Sequence, residues 1–402
     1  MARIGIFGGS FNPPHNGHLR AAEICREQLR LDTVILVPAA QPPHKTIAEG
    51  SPDAAERLCL TELAIADKEG LQVSDLELRR EGRSYTVDTL RQLRKDYPDD
   101  ELFLLMGTDM FCSFDTWREP AEIAKLATVV CMMRTDPNPK LTEQISECTE
   151  RYRTDYGCRI EVIQNEAVDI SSTEVRRMLF FRCAEKYLPD AVLQEITGKG
   201  LYGSNLDSRE LPFDRLRALS LSLHKPQRVK HADGCSRLAA ELAARYGADQ
   251  TDAIRAGILH DITKALTVEQ QRMICEKYQV PLTEDEKRYP KLLHAPTGAA
   301  IAEHIFGENE AVCTAIRWHT TGRAGMNLLE KILYIADYAE PTRAFEGLEV
   351  LRYILMRDLD AAVLLGLEMS IRSLVERNLP ISDQSASARD FLLKERDEIS
   401  AI

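Results

Sequence analysis

The sequence has no excess of positive charge: 51 Lys and Arg stand against 63 Asp and Glu, a net charge of −12. Residues 1–204 carry −8 of this and the remainder −4. Neither half reads as a basic nucleic-acid or membrane-surface module, so any polyanion must be met by locally concentrated donors or by a metal. No run approaches the roughly 18 apolar residues of a membrane helix. The opening MARIGIFGG has too short an apolar stretch for a secretory signal and lacks its small-residue cleavage pattern. The ten cysteines include no C-x-x-C pair and no regular spacing. They are expected to be reduced, partly buried small hydrophobes in a cytoplasmic protein. There is no internal repeat and no low-complexity tract.

What is there is length and a change of texture. A chain of 402 residues exceeds one ordinary core and suits two domains of roughly 200 residues each. Arg3–Phe7, Thr33–Val37, Leu102–Met106, Thr128–Met132 and Ile160–Ile163 read as buried strands. Between them Leu19, Ala22, Cys25 and Leu29, and in part Leu58, Ala64 and Ile65, recur at helical spacing. This alternation predicts a parallel sheet covered by helices. Beyond about residue 212 strand-like runs vanish and helical patterns such as Cys235, Leu238, Ala239, Leu242 and Tyr246 take over. The polar, glycine-containing stretch GKGLYGSNLDSRELP lies at the change. It sets the expected domains at 1–204 and 212–402, with 205–211 as linker.

The first predicted strand runs into GGSFNPPHNGH, residues 8–18, and then a helix. Gly8 and Gly9 allow backbone amides to approach an anion, and the helix N-terminus adds partial positive charge. His15 and His18, three apart at the helix mouth, can donate to phosphate oxygens. A strand–Gly–Gly–helix turn alone is common, and H-x-x-H could also serve a metal, although no third ligand lies nearby. Further on, Ser172 or Thr173 can cap a helix and present free amides, with Arg176 one turn later.

GGSFNPPHNGH and Ile170-Ser171-Ser172-Thr173-Glu174-Val175-Arg176 resemble the (H/T)xGH and ISSTxxR motifs of the nucleotidylyltransferase superfamily. Pro42-Pro43-His44-Lys45, Ser84-Tyr85-Thr86-Val87-Asp88-Thr89 and Met106-Gly107-Thr108-Asp109, followed by Phe114 and Trp117, narrow the resemblance to bacterial nicotinate-nucleotide adenylyltransferases. The resemblance covers essentially all of residues 1–204. It implies a Rossmann-like α/β domain transferring AMP from ATP, with Mg²⁺, to nicotinate mononucleotide. It implies nucleotide contacts at Gly8, Gly9, Ser10, Phe11, His15, His18, Gly107, Asp109, Ser171, Ser172, Thr173 and Arg176. His18 is expected to stabilise the transition state and Lys45 to counter substrate or triphosphate charge. Thr86 and Trp117 are expected to hold the pyridine carboxylate and ring. A different acceptor such as pantetheine phosphate is the alternative, disfavoured by the strings around Thr86 and Trp117.

The second half places His231, His260, His319 and Asp337 each in line with an apolar helical stripe, so four helices aim a His or Asp inward. A buried carboxylate without a partner is costly, and a shared cation relieves it. Asp261 follows His260 directly, and His294 stands where another helix begins. These six nitrogen and oxygen donors, without thiolate, suit two closely spaced Fe or Mn ions better than structural zinc. His304, His224 and His44 read as ordinary core or surface histidines.

The order H…HD…H…H…D resembles the HD-domain metal phosphohydrolases. LLHAPTGA, AIRWHTTGRAGM and KILYIADYAEPTRAFEGLE are similar to bacterial HD hydrolases that split diadenosine tetraphosphate symmetrically into two ADP. That resemblance implies an all-α HD-domain helical bundle with a dinuclear, iron-containing centre on His231, His260, Asp261, His294, His319 and Asp337. Lys264, Thr320, Arg323, Glu340 and Arg343 are implied as substrate or supporting contacts, with Asp261 and Lys264 catalytic. A different nucleotide substrate, or a domain that only binds nucleotide to regulate its neighbour, remain alternatives. The resulting expectation is a bifunctional cytoplasmic enzyme with nucleotide substrates and no nucleic-acid or membrane partner, compatible with a homo-oligomer.

Overall fold

A computed structural model describes residues 1–43, 46–134, 139–165, 170–209 and 211–400. The chain divides into two compact units, Met1–Leu206 and Asp207–Ile402. The first contains strands β1 (Arg3–Gly9), β2 (Thr33–Pro38), β3 (Leu71–Val73), β4 (Glu101–Gly107), β5 (Thr128–Arg134) and β6 (Ile160–Asn165). All strand pairs are parallel, in the order β3-β2-β1-β4-β5-β6. The five strands expected from their apolar runs are all present. The sixth, β3, has three residues and is too short to show a period.

Helices α1 (Asn16–Gln28), α2 (Ala54–Ile65), α3 (Thr86–Asp96), α4 (Thr108–Cys112), α5 (Pro120–Leu126), α6 (Pro139–Tyr156), α7 (Ser172–Phe180) and α8 (Asp190–Lys199) complete the unit. Ile4, Ile6, Ile35, Val37, Leu102, Leu104, Val129 and Cys131 form one core with Val87, Leu90 and Tyr152. Leu36, Leu105 and Val130, on the opposite side of their strands, are buried as well. The sheet is thus covered on both faces, which is why its strands lack polar alternation. Strand order reverses between β1 and β4, and in open parallel sheets the crevice for ligands lies beyond the carboxyl ends at that point. Gly8 and Gly9 end β1 there, and Gly107 ends β4.

The second unit has no strand among its described residues. Its helices are α9 (Phe213–Leu223), α10 (Pro226–Tyr246), α11 (Gln250–Leu259), α12 (Val268–Lys277), α13 (Glu284–Arg288), α14 (His294–His304), α15 (Glu310–Trp318), α16 (Leu328–Ala339), α17 (Leu348–Leu355), α18 (Leu359–Glu376) and α19 (Asp383–Ser400). A parallel α/β unit followed by an all-α one is the architecture expected. Helices α10 and α11 approach so closely that a Cβ at Gly257 would lie 2.5 Å from Ser236 Cα. Only glycine permits that contact. Ser208, expected in a linker, is buried and donates to the Ile305 carbonyl at 2.7 Å, so this part of the stretch is packed into the second unit. Among the described residues no helix is long and apolar enough to cross a membrane. No disulfide joins the ten cysteines.

Candidate active sites

The first-unit site grows out of the end of β1. A Cβ on Gly8, or on Gly107 at the end of neighbouring β4, would meet nothing within 4 Å. The fold itself does not demand glycine at either position. At Gly9 a Cβ would sit 3.3 Å from the Phe11 ring, so the bare glycine leaves room for Phe11, which is buried beneath the loop. Phe11 packs edge-on against Phe7 at 5.8 Å and against His18 at 5.0 Å.

His15 caps the start of α1, and its ring stacks on His18 with centroids 3.6 Å apart. The His15 backbone N–H donates to His18 Nδ1 at 3.3 Å. In the neutral tautomer this contact places the His18 proton on Nε2. Burial, and secondarily the neighbouring His18, pushes the His15 pKa well below 6.5, so His15 is neutral at physiological pH. The pair offers hydrogen-bond donors without needing two like charges side by side.

Helix α7 arrives from the other motif. Its N-cap is Ser171, which accepts from the Glu174 N–H while Glu174 reaches back to the Ser171 N–H. This corrects the expectation that Ser172 or Thr173 caps the helix: the capping box needs the acid at the third helical position, which selects Ser171. Ser172 Oγ instead donates to the Pro13 carbonyl at 3.2 Å. Arg176 donates from Nη1 to the Asn12 carbonyl at 2.6 Å and from Nη2 to Thr173 Oγ1 at 3.2 Å. The two motifs, about 160 residues apart, are thereby joined.

Other expected residues fall nearby in the fold. Thr86 opens α3, and the N–H groups of a first helical turn have no carbonyl within the helix. Trp117 is half-buried and packs against Phe114 at 5.8 Å, so part of its ring already belongs to the core. Asp109 is exposed in the first turn of α4, and Ser10 is half-buried. His44 and Lys45 lie outside the described residues. Sequence reasoning missed Arg57 on α2, whose side chain is 1% exposed and bonded to the carbonyls of Ser10 and Ala39. Its signal was an arginine in line with Leu60 and Ala64 on an apolar stripe.

In the second unit the six expected donors converge from separate segments. His231 belongs to α10, His260 and Asp261 follow α11, His294 opens α14, His319 ends α15 and Asp337 lies on α16. His260, His294 and His319 each use Nδ1 on a backbone carbonyl three residues back, at 2.7, 2.8 and 2.7 Å. His231 Nδ1 pairs with the Glu340 carboxylate at 3.0 Å. With the protons held there, every Nε2 presents a lone pair inward.

Those lone pairs meet one another and the carboxylates. His231 Nε2 lies 3.3 Å from His260 Nε2 and 3.0 Å from Asp337 Oδ1. Asp261 Oδ1 lies 3.5 Å from His294 Nε2 and 3.6 Å from His319 Nε2, and it is buried without a hydrogen-bond partner. Burial, the main cause, lowers His260 to about 3 and His319 to about 4, keeping both neutral. Lone pairs facing lone pairs and carboxylates are reconciled by cations. His231, His260 and Asp337 form one group able to hold a metal ion, and His260, Asp261 and His319 form another sharing His260. The donor set fits one or two divalent ions.

Cationic side chains ring this cage. Arg228 pairs with Asp261 Oδ2, and Arg343 bonds Asp337 Oδ1 at 2.8 Å. Lys264 Nζ lies 2.7 Å from His294 Nε2, and burial lowers its pKa to about 8. Thr320 Oγ1 sits 3.0 Å from His294 Nε2 and 3.1 Å from His319 Nε2. Of the expected substrate or supporting contacts, Glu340 takes the supporting place: it is fully buried behind His231, where it orients that ring and accepts from the Thr342 N–H. Arg323 is taken up by Glu330 at 2.9 Å, away from the six donors in its contacts. Arg228 was missed; its three-residue spacing before His231, which places both on one helix face, was the available signal.

Residues 6–178 match a family described as cytidylyltransferase-like, and residues 228–342 match the HD domain. The second unit is thus an HD domain. The chain is 40% identical over 214 residues to a protein of Geobacter sp. (strain M21) named probable nicotinate-nucleotide adenylyltransferase, covering 50% of this chain and 98% of that one. A protein of the same name from Citrifermentans bemidjiense is also 40% identical, over 212 residues and 98% of its length. A crystal structure of a "predicted HD superfamily hydrolase involved in NAD metabolism" from Clostridium acetobutylicum is 34% identical. It covers 46% of this chain and 98% of that one, with a TM-score of 0.45.

Proposed function

The chain belongs to the nicotinate-nucleotide adenylyltransferase family, and we propose from that membership that its first unit transfers AMP from ATP to nicotinate mononucleotide, forming deamido-NAD and pyrophosphate. The observation that carries the reading is the stacked His15–His18 pair beside the glycine-ended β1, at the crevice where strand order reverses. The attacking phosphate oxygen is already anionic and needs no strong base. Alignment and stabilisation of charge at phosphorus are what the site must supply.

In this reading Gly8 and Gly9 admit the triphosphate, and Ser10, Phe11 and Gly107 border it. His18 donates from Nε2 to the oxygens on which charge gathers, with neutral His15 beside it. Ser171, Ser172, Thr173 and Arg176 face the β- and γ-phosphates, and Mg²⁺ arrives with ATP. Lys45 counters phosphate charge, Asp109 meets a ribose hydroxyl, and Thr86 and Trp117 receive the nicotinate carboxylate and ring. Purified protein with ATP, Mg²⁺ and nicotinate mononucleotide should release pyrophosphate. Turnover with pantetheine phosphate but not with nicotinate mononucleotide would overturn this.

For the HD domain the reading is symmetrical hydrolysis of diadenosine tetraphosphate to two ADP, supported by the six converging donors and their cationic rim. His231, His260, Asp261, His294, His319 and Asp337 would hold two ions, iron or manganese by their nitrogen–oxygen donor set. Such a pair supplies binding for phosphate oxygens and a water nucleophile active at neutral pH. Arg228, Arg343 and Thr320 would bind phosphate oxygens, and Lys264 Nζ would give a proton to the leaving phosphate. Metal analysis joined to a hydrolysis screen tests this. ADP as the sole product from diadenosine tetraphosphate is expected; faster hydrolysis of another nucleotide, or none of any, would replace the reading.

A further inference from the structure

Arg57 is among the largest fully buried side chains of the protein. Its Nη1 donates to the Ser10 carbonyl at 2.6 Å, and its Nη2 to the carbonyls of Ala39 at 2.8 Å and Ala40 at 3.2 Å. Ser10 lies in the loop after β1 and Ala39–Ala40 in the loop after β2, so one guanidinium ties the two together. All three acceptors are backbone carbonyls, none a carboxylate. A buried charge is a costly way to fill space that an apolar side chain could fill. What the planar fork adds is a fixed angle between two chain segments.

The second loop is pinned from its other side as well. Ser84, buried just before α3, accepts at Oγ from the N–H groups of Ala40 at 3.1 Å and Gln41 at 3.4 Å, and its own N–H donates to the Gln41 carbonyl at 3.0 Å. Arg176 holds the first loop again at Asn12. The loop of the two histidines, the loop leading to Pro42–Pro43 and the start of α3 at Thr86 therefore share one hydrogen-bonded frame with Arg57 at its centre.

We propose that Arg57 is a positioning residue that holds the loop of the two histidines in register with the loop after β2 and, through Ser84, with the start of α3 at Thr86, so that one side chain touching neither substrate sets the apparent affinity for both. This rests on the adenylyltransferase reading of the first unit. The test is steady-state kinetics of the full chain with Arg57→Ala and Arg57→Lys. Because misplacement of reacting groups by about 1 Å can cost ~10²-fold, Arg57→Ala should lower kcat/KM by roughly that factor. KM should rise for ATP and for nicotinate mononucleotide together.

Millimolar guanidinium added to Arg57→Ala should restore part of the activity and lower both KM values together, whereas a variant that had merely lost stability would show a smaller active fraction at unchanged KM. Arg57→Lys, which keeps the charge but not the fork, should lie between, again with both KM values raised. If the alanine variant does not fold, the lysine variant decides alone. Wild-type KM values for both substrates in Arg57→Lys, or a change in only one, would overturn the proposal. An inactive wild-type chain would instead overturn the reading it rests on.

Discussion

On the proposed reading the two sites would meet phosphate with opposite materials. In the first unit the proposed donors are chiefly backbone and imidazole, carried by eleven consecutive residues between a strand and a helix. In the second they are six side chains from five separate segments, with the backbone holding Nδ1 of three of the four histidines and the Glu340 carboxylate holding the fourth. A contiguous loop is set by local geometry and trimmed by a few long-range bonds such as Arg176 to Asn12. A cage exists only when several helices pack at the right separation. Its chemistry is therefore more exposed to packing changes far from the donors.

Single-residue changes should separate the two most sharply. His18→Ala should reduce adenylyl transfer by about 10²–10³-fold, the usual cost of losing one transition-state donor, while leaving hydrolysis and metal content unchanged. Asp261→Ala should do the reverse, abolishing hydrolysis and lowering bound metal by elemental analysis. Loss of both activities in either variant would mean that the sites are not independent. A chelator should act like the second change: dialysis against it and return of Mg²⁺ alone should restore transfer but not hydrolysis.

Smaller effects sharpen the packing side. Gly257→Ala forces α10 from α11, and overpacking of this kind costs about 1–3 kcal/mol. Denaturant unfolding should show it in the second unit, with reduced metal affinity because His231 and His260 flank that contact. In the first unit, acid should act through His15. Its folded pKa is depressed, so between its unfolded value near 6.5 and the lower folded value the unfolded chain binds more protons. Stability is present above that window and falls with decreasing pH, by at most about 1.4 kcal/mol per pH unit. Urea midpoints between pH 7.5 and 5.5 should show that slope, reduced in His15→Gln. Least of all, Ser171→Ala removes the α7 cap and should cost ~1 kcal/mol or less in the same unfolding measurement.

Much of this was legible in advance, for reasons that differ by region. Buried parallel strands read as continuous apolar runs, so five of them stand out, whereas three-residue β3 does not. His15 and His18 announce themselves because loop, helix mouth and glycines are contiguous. The inward aim of His231, His260, His319 and Asp337 follows from helical period alone. Glu340 did not declare its place behind His231, because whether a carboxylate three residues past Asp337 faces a ligand or a neighbouring ring depends on the end of α16. Arg57 showed only its place on the apolar stripe with Leu60 and Ala64; its partners were hidden because they are carbonyls, and every residue has one.

Residue order alone therefore marks five of the six strands, the glycine loop and the inward-facing His231, His260, His319 and Asp337, since each follows from a local period or a contiguous string. It does not dictate who bonds to whom across distance. The clasp of Arg57 on two loops, the bridge from Arg176 to Asn12 and the closeness of α10 to α11 at Gly257 arise only when separate segments pack. Hydrogen bonds to backbone and close approaches between helices leave almost no mark on side-chain pattern. They are nonetheless what brings these donors within reach of one another.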